Sequence, residues 1–110
     1  MSNKLEQIIK DKKDALSSIK QNNSLDSLEK KIKRLNFFYD FKQSIKDNKG
    51  ISLISEIKKA SPSAGILVKS FDHLNLAKLF IENGTTCLSV LTEEKYFLGK
   101  LDYILDIKER

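Results

Sequence analysis

The sequence predicts an α/β fold, a parallel sheet joined by helical crossovers and preceded by a run of helices. Two short apolar runs rich in β-branched residues, at 51–57 and 85–92, read as strands. A helical pattern lies between them and another follows, so strand, loop and helix recur at a spacing of about 35 residues. The strand beginning "ISLIS" is too continuously apolar for a sheet with one wet face. Strands buried on both faces, as in helix-covered parallel sheets, are therefore expected.

Each element has its own signal. Leu5, Ile8, Ile9, Leu16 and Ile19 fall on one face at helical periodicity, and Asn3 with Glu6 gives a cap-like start. Ser24 opens a second helical stretch, striped by Leu25, Leu28, Ile32 and Leu35. A third, "NFFYDFKQSIK", puts Phe38, Phe41 and Ile45 on one side. Such stripes are expected to cover a core. The grammar changes at Gly50, where the first strand begins. Asp72 then caps a helix running through Ile81, which carries the apolar residues Leu74, Ala77, Phe80 and Ile81. Gly84 stands where a helix C-terminus takes a left-handed residue. The second strand, "TTCLSVLT", leads into a loop with Gly99, and "KLDYILDIKER" starts a last helix. No low-complexity tract or linker separates the halves.

Composition narrows the function classes. The chain has 110 residues, 40% of them hydrophobic, enough for one domain. Residues 1–50 carry 12 Lys or Arg against 7 Asp or Glu, and residues 51–110 carry 8 of each, so the formal charge of +5 belongs to the first half. Of the 20 basic residues 18 are Lys, which argues against base-specific readout, since that leans on the planar fork of Arg. Solvated helix faces explain the excess, and no nucleic-acid partner is expected. Cys87 is the single cysteine, so no internal disulfide forms and a reducing compartment is expected. The N-terminus offers no apolar export segment, and no run approaches the roughly 20 apolar residues of a membrane helix. A cytoplasmic protein without a membrane partner is expected.

The chemistry is concentrated in "EIKKASPSAG", residues 56–65. Ser52, Ile54, Glu56 and Lys58 share one face of the first strand, and Ile51, Leu53 and Ile57 the other. At roughly 3.3 Å per residue, the Cα atoms of Glu56 and Lys58 are about 6.6 Å apart, so the two side chains can meet each other or one ligand. Burying such charges costs several kcal/mol each unless they are paired. The C-terminal mouth of a parallel sheet resolves this cost by facing them to a polar ligand. An exposed pair reaching into water just past the strand is the alternative, and the residues alone do not separate the two. His73, at the start of a surface helix, is expected to be solvated. Cys87 reads as a small core residue, and Glu93, Glu94 and Lys95 as a charge cluster in a loop. No metal-ligand spacing, phosphate-cradling glycine loop or nucleophile triad occurs.

"LISEIKKASPSAG" resembles the first barrel strand and following loop of the indole-3-glycerol-phosphate synthase family, which carries a Glu-x-Lys pair followed by Ser-Pro-Ser. "CLSVLTEEKYFLG" is similar to that family's second strand, whose aromatic-ended loop lies over the substrate. "FDHLNLAKLFIENG" resembles the helix between them, and the N-terminal helices resemble the segment that precedes the barrel. Two long motifs in the right order are far more specific than one short pattern.

The resemblance implies an incomplete (β/α)8 TIM barrel, with 1–49 as an N-terminal helical extension and 50–110 as the first two βα units. A whole barrel takes about 250 residues. It implies a carboxy-lyase of tryptophan biosynthesis that closes the ring of an anilino-deoxyribulose phosphate, releasing carbon dioxide and water. No metal or organic cofactor is implied. By the same resemblance Lys58 neutralises the substrate carboxylate and donates a proton, and Glu56 orients lysines and takes part in proton transfer. Ser61 and Pro62 border the substrate, and Phe97 helps wall its aromatic ring. Ala64 departs from the family pattern, standing where many members have a basic residue. The family's strand-three lysine, its later glutamate and asparagine, and its phosphate loops lie beyond Arg110. This chain alone is therefore expected to be inactive. A rival reading is a non-catalytic remnant that binds the complementary C-terminal barrel portion or another partner.

Overall fold

The computed structural model describes residues 3–109, so Arg110, which closes the last predicted helical stretch, lies outside them. The chain falls into two compact units, Met1–Tyr39 and Asp40–Arg110.

The first unit contains α1 (Lys4–Asn22) and α2 (Leu25–Lys33). α1 begins in a capping box. The Asn3 side chain accepts from the Glu6 amide at 2.8 Å, and the Glu6 carboxylate accepts from the Asn3 amide at 3.3 Å. Ser24 caps α2 by accepting from the Ser27 amide at 3.1 Å. The apolar stripes do not cover a core as expected. No residue of either helix is buried, and Leu5, Leu25 and Ile32 are all more than half exposed. A stripe at helical spacing gives a helix a face, but burial needs a surface opposite it.

The second unit runs α3 (Phe41–Asp47), β1 (Ile54–Ile57), β2 (Ala60–Ser61), β3 (Gly65–Ile66), α4 (His73–Glu82), β4 (Cys87–Val90) and α5 (Asp102–Lys108). α3 starts later than its aromatic stripe suggested. Asp40 accepts from the Gln43 amide at 2.9 Å and fixes the N-terminus there, which leaves Phe38 outside the helix. β1 and β4 pair in parallel, with Ile54 opposite Cys87 and Ile57 opposite Val90. α4 is the crossover between them. Asp72 caps it through the Asn75 amide, and it ends where Gly84 and Thr85 donate back to the carbonyls of Ile81 and Phe80.

Among the described residues, those buried are Ser55, Ile57, Ala60, Ala77, Cys87 and Gly99. Ser55 and Ile57 belong to one face of β1, and α4, which carries Ala77, packs against that strand. The expectation that the strand is buried on both faces fails here, because Ile54 is half exposed and Glu56 is exposed too. α3 covers only the start of that second face, where Cys87 Sγ lies 3.9 Å from the Phe41 carbonyl oxygen. Cys87 is the small core residue its place in the strand suggested. His73 is not solvated. Its Nε2 lies 2.8 Å from Asp106 Oδ2, and its ring stacks on Tyr103 at 4.2 Å between centroids. A helix-start histidine finds these partners only because α4 and α5 lie side by side, which local sequence does not encode.

Candidate active site

Parallel pairing puts the C-terminal ends of β1 and β4 at one edge of the sheet. The loops that follow both strands therefore leave from the same edge, where open α/β sheets bind ligands. All five candidate residues lie on β1 or on these two loops.

Glu56 is the third residue of β1, on the face that α3 leaves open, and Lys58 follows the strand by one residue. Their ion pair is made, with Lys58 Nζ 2.8 Å from Glu56 Oε1. The side chains are 31% and 47% exposed for Lys58 and Glu56 respectively, so the pair is neither sealed inside nor fully solvated. At such exposure the pair contributes about 1 kcal/mol or less to stability, so fold economy alone does not explain it. An ammonium has three donors, and one committed to Glu56 leaves two to offer to an anionic group. Ser89 is the residue paired with Glu56 across the sheet and adds a hydroxyl to that strand level.

The segment after β1, read from the sequence as a loop, contains regular structure. β2 and β3 form a small antiparallel hairpin, with Ala60 opposite Ile66 and Ser61 opposite Gly65. Pro62 opens its turn, and Ser61 Oγ accepts from the Ala64 amide at 3.2 Å. The hairpin is tied back to the site, since the Lys59 carbonyl accepts from the Leu67 amide at 2.8 Å. Ser61 and Pro62 thus occupy a braced hairpin directly after the ion pair.

Phe97 lies half-buried in the loop after β4. Glu93, read from the sequence as one of a cluster of loop charges, organises this loop. Its Oε1 accepts from the Lys95 amide at 3.0 Å, and its Oε2 from the amides of Tyr96 at 2.7 Å and Phe97 at 3.1 Å. The Glu93 carbonyl also accepts from the Gly99 amide at 2.8 Å. No group of three or more His, Cys, Asp or Glu side chains able to hold a metal occurs among the described residues. Among them, too, no helix is long and apolar enough to cross a membrane.

Residues 5–110 match the family model described as indole-3-glycerol phosphate synthase. A protein of that name from Desulforamulus reducens is 42% identical over 106 residues, covering 96% of this chain and 40% of its own length. One from Clostridium acetobutylicum is 40% identical over 106 residues, with coverage of 96% and 40%. One from Legionella pneumophila is 38% identical over 110 residues, covering all of this chain and 42% of its own length. The chain thus spans about 40% of the length of these curated relatives.

Proposed function

Because the chain belongs to the indole-3-glycerol phosphate synthase family, we propose that it supplies the first two βα units of a (β/α)8 barrel, residues 50–110, behind a helical extension, residues 1–49. The barrel converts an anilino-deoxyribulose phosphate to indole-3-glycerol phosphate in the cytoplasm, as a step of tryptophan biosynthesis. The observation that carries this reading is the Glu56–Lys58 ion pair at the C-terminal edge of a parallel sheet.

The reaction needs what this pair can offer. The ring carbon bearing the carboxylate bonds to the sugar's carbonyl carbon, and the carbonyl oxygen takes a proton. Loss of carbon dioxide returns the electron pair to the ring. The new hydroxyl, protonated, then leaves as water while the adjacent nitrogen-bearing CH2 gives up a proton to a base, forming the ring's new double bond. Lys58 binds the substrate carboxylate through its ammonium and donates a proton. Glu56, 2.8 Å from that ammonium, aims it and shuttles protons during dehydration. Ser61 and Pro62 border the substrate, and Phe97 walls its aromatic ring. No metal or organic cofactor takes part, because ring closure, loss of carbon dioxide and loss of water involve no external oxidant or reductant and call only on proton donors and acceptors.

The test is a chimera in which residues 5–110 replace the matching segment of the Desulforamulus reducens relative. It should melt cooperatively and release carbon dioxide from the anilino substrate. A folded chimera without turnover would overturn the assignment of this segment.

A second reading has one observation in its favour. Ile51, Leu53 and Ile54 are exposed along the first strand region, Ile51 to 99%. The partner they suit is the complementary portion of the barrel, bound by the chain without catalysis of its own.

A further inference from the structure

We infer that Glu93 is a positioning residue, acting through the loop after β4 to set the attitude of Phe97. The inference rests on the reading of Phe97 as the aromatic wall, and goes beyond it by naming what holds the wall in place.

Three amides, those of Lys95, Tyr96 and Phe97, converge on the Glu93 carboxylate. Successive backbone N–H groups aimed at one point form a concavity that binds anions. Here the anion is the loop's own side chain, so the concavity is filled and serves shape. The Glu93 carbonyl closes the other end by accepting from the Gly99 amide at 2.8 Å. Residue 93 therefore grips both ends of the segment that carries Phe97.

The segment between has little freedom. Leu98 adopts a left-handed conformation, with φ at 52°, which a leucine keeps only when its surroundings over-determine it. Gly99 is buried, and a β-carbon there would collide with the carbonyl of Leu91. With Leu98 and Gly99 pinned on one side and three amides tethered on the other, the carboxylate decides where the Phe97 ring stands. Both oxygens are needed, since Oε1 serves one amide and Oε2 two. Glutamine keeps one acceptor oxygen and turns its carboxamide NH2, itself a donor, toward donors, so Glu93→Gln should act almost as Glu93→Ala does.

The test uses the active chimera. Glu93→Gln and Glu93→Ala should each raise KM about three- to tenfold, the range an aromatic contact supports, and change kcat less. Amide hydrogen exchange at residues 95–97 should accelerate in both variants. Since Glu93 acts through Phe97, adding Glu93→Ala to Phe97→Ala should raise KM no further. Multiplying effects in the double variant, or unchanged exchange at 95–97, would overturn the inference while sparing the site. Unchanged KM in Phe97→Ala alone would instead overturn the aromatic-wall reading, and this inference with it.

Discussion

The amide of Leu91 donates to the carbonyl of Ile57 at 3.1 Å, one residue past the end of β4. The parallel ladder therefore runs one step into the second loop, and both loops start from the same level of the sheet. Ile57, whose carbonyl makes this bond, is also the most deeply buried large side chain among the described residues, at 1% exposure. The backbone just before Lys58 is thus fixed from two directions. What remains mobile in the lysine is its side chain, and Glu56 holds that by its ammonium.

In a full-length synthase carrying these residues, Lys58→Ala should lower kcat by about 10²–10⁴, the range for loss of a positioned proton donor. Glu56→Gln should be severely impaired as well, because it keeps the shape but loses charge and basicity. Both variants should keep the parent's circular dichroism spectrum, since a half-exposed pair contributes little to folding. Near-normal kcat/KM in either would count strongly against the site.

Phe97→Ala should act mainly on KM, because an aromatic wall holds ground state and transition state alike. The expected rise is about three- to tenfold. Steady-state kinetics on the anilino substrate decide the matter. A large fall in kcat at unchanged KM would mean that the ring acts in the chemical step.

Gly99→Ala should destabilise more than its size suggests. The new methyl would meet the carbonyl of Leu91, a residue whose own amide is tied to the Ile57 carbonyl by the ladder, so the backbone there cannot easily withdraw. Overpacking of this kind costs about 1–3 kcal/mol. A thermal melt should show a lowered Tm, and an unchanged Tm would mean that the loop yields without cost.

Much of this was legible because its signals are local. Asn3, Ser24 and Asp72 cap the helices they were expected to cap, since an N-cap needs only an amide two or three residues on. The Glu56–Lys58 pair was legible because strand geometry fixes the reach of residues two apart. Asp40 was missed as a helix start, because an aromatic stripe on both sides of it masked the cap. The roles of His73 and Glu93 were hidden for opposite reasons. His73 needs α5, 33 residues away, to supply Asp106. The partners of Glu93 are near in sequence, but backbone amides leave no trace in side-chain patterns.

The His73–Asp106 contact should couple α4 to α5 measurably. The side chains of His73 and Asp106 are 18% and 42% exposed, so the pair is partly shielded, and the His73 ring is additionally stacked on Tyr103. A double-mutant cycle with His73→Ala and Asp106→Ala, followed by urea unfolding of the full-length protein, should give a coupling of about 0.5–1 kcal/mol. Strict additivity would mean that the two helices are held by apolar packing alone.

Expressed by themselves, residues 1–110 should form helices without a cooperative fold and show no synthase activity. Among the described residues the buried set is Ser55, Ile57, Ala60, Ala77, Cys87 and Gly99, and of these Ile57 alone is a large apolar side chain. Fully burying one such side chain supplies about 1.5–3 kcal/mol, while ordering each residue's backbone costs about 1–2 kcal/mol. The parallel sheet has two strands and so keeps two open edges of unpaired backbone groups. Leu5, Leu25, Phe37, Phe38, Ile51 and Leu53 are meanwhile exposed to water. Capped helices such as α1 can still form, since a capping box needs no tertiary partner. Circular dichroism should therefore report substantial helix, an environment-sensitive dye should bind the open apolar surface, and the thermal transition should be broad. A sharp melt without dye binding would show that these residues find a closed core of their own, by self-association or rearrangement, and would remove the case for a complementary barrel partner.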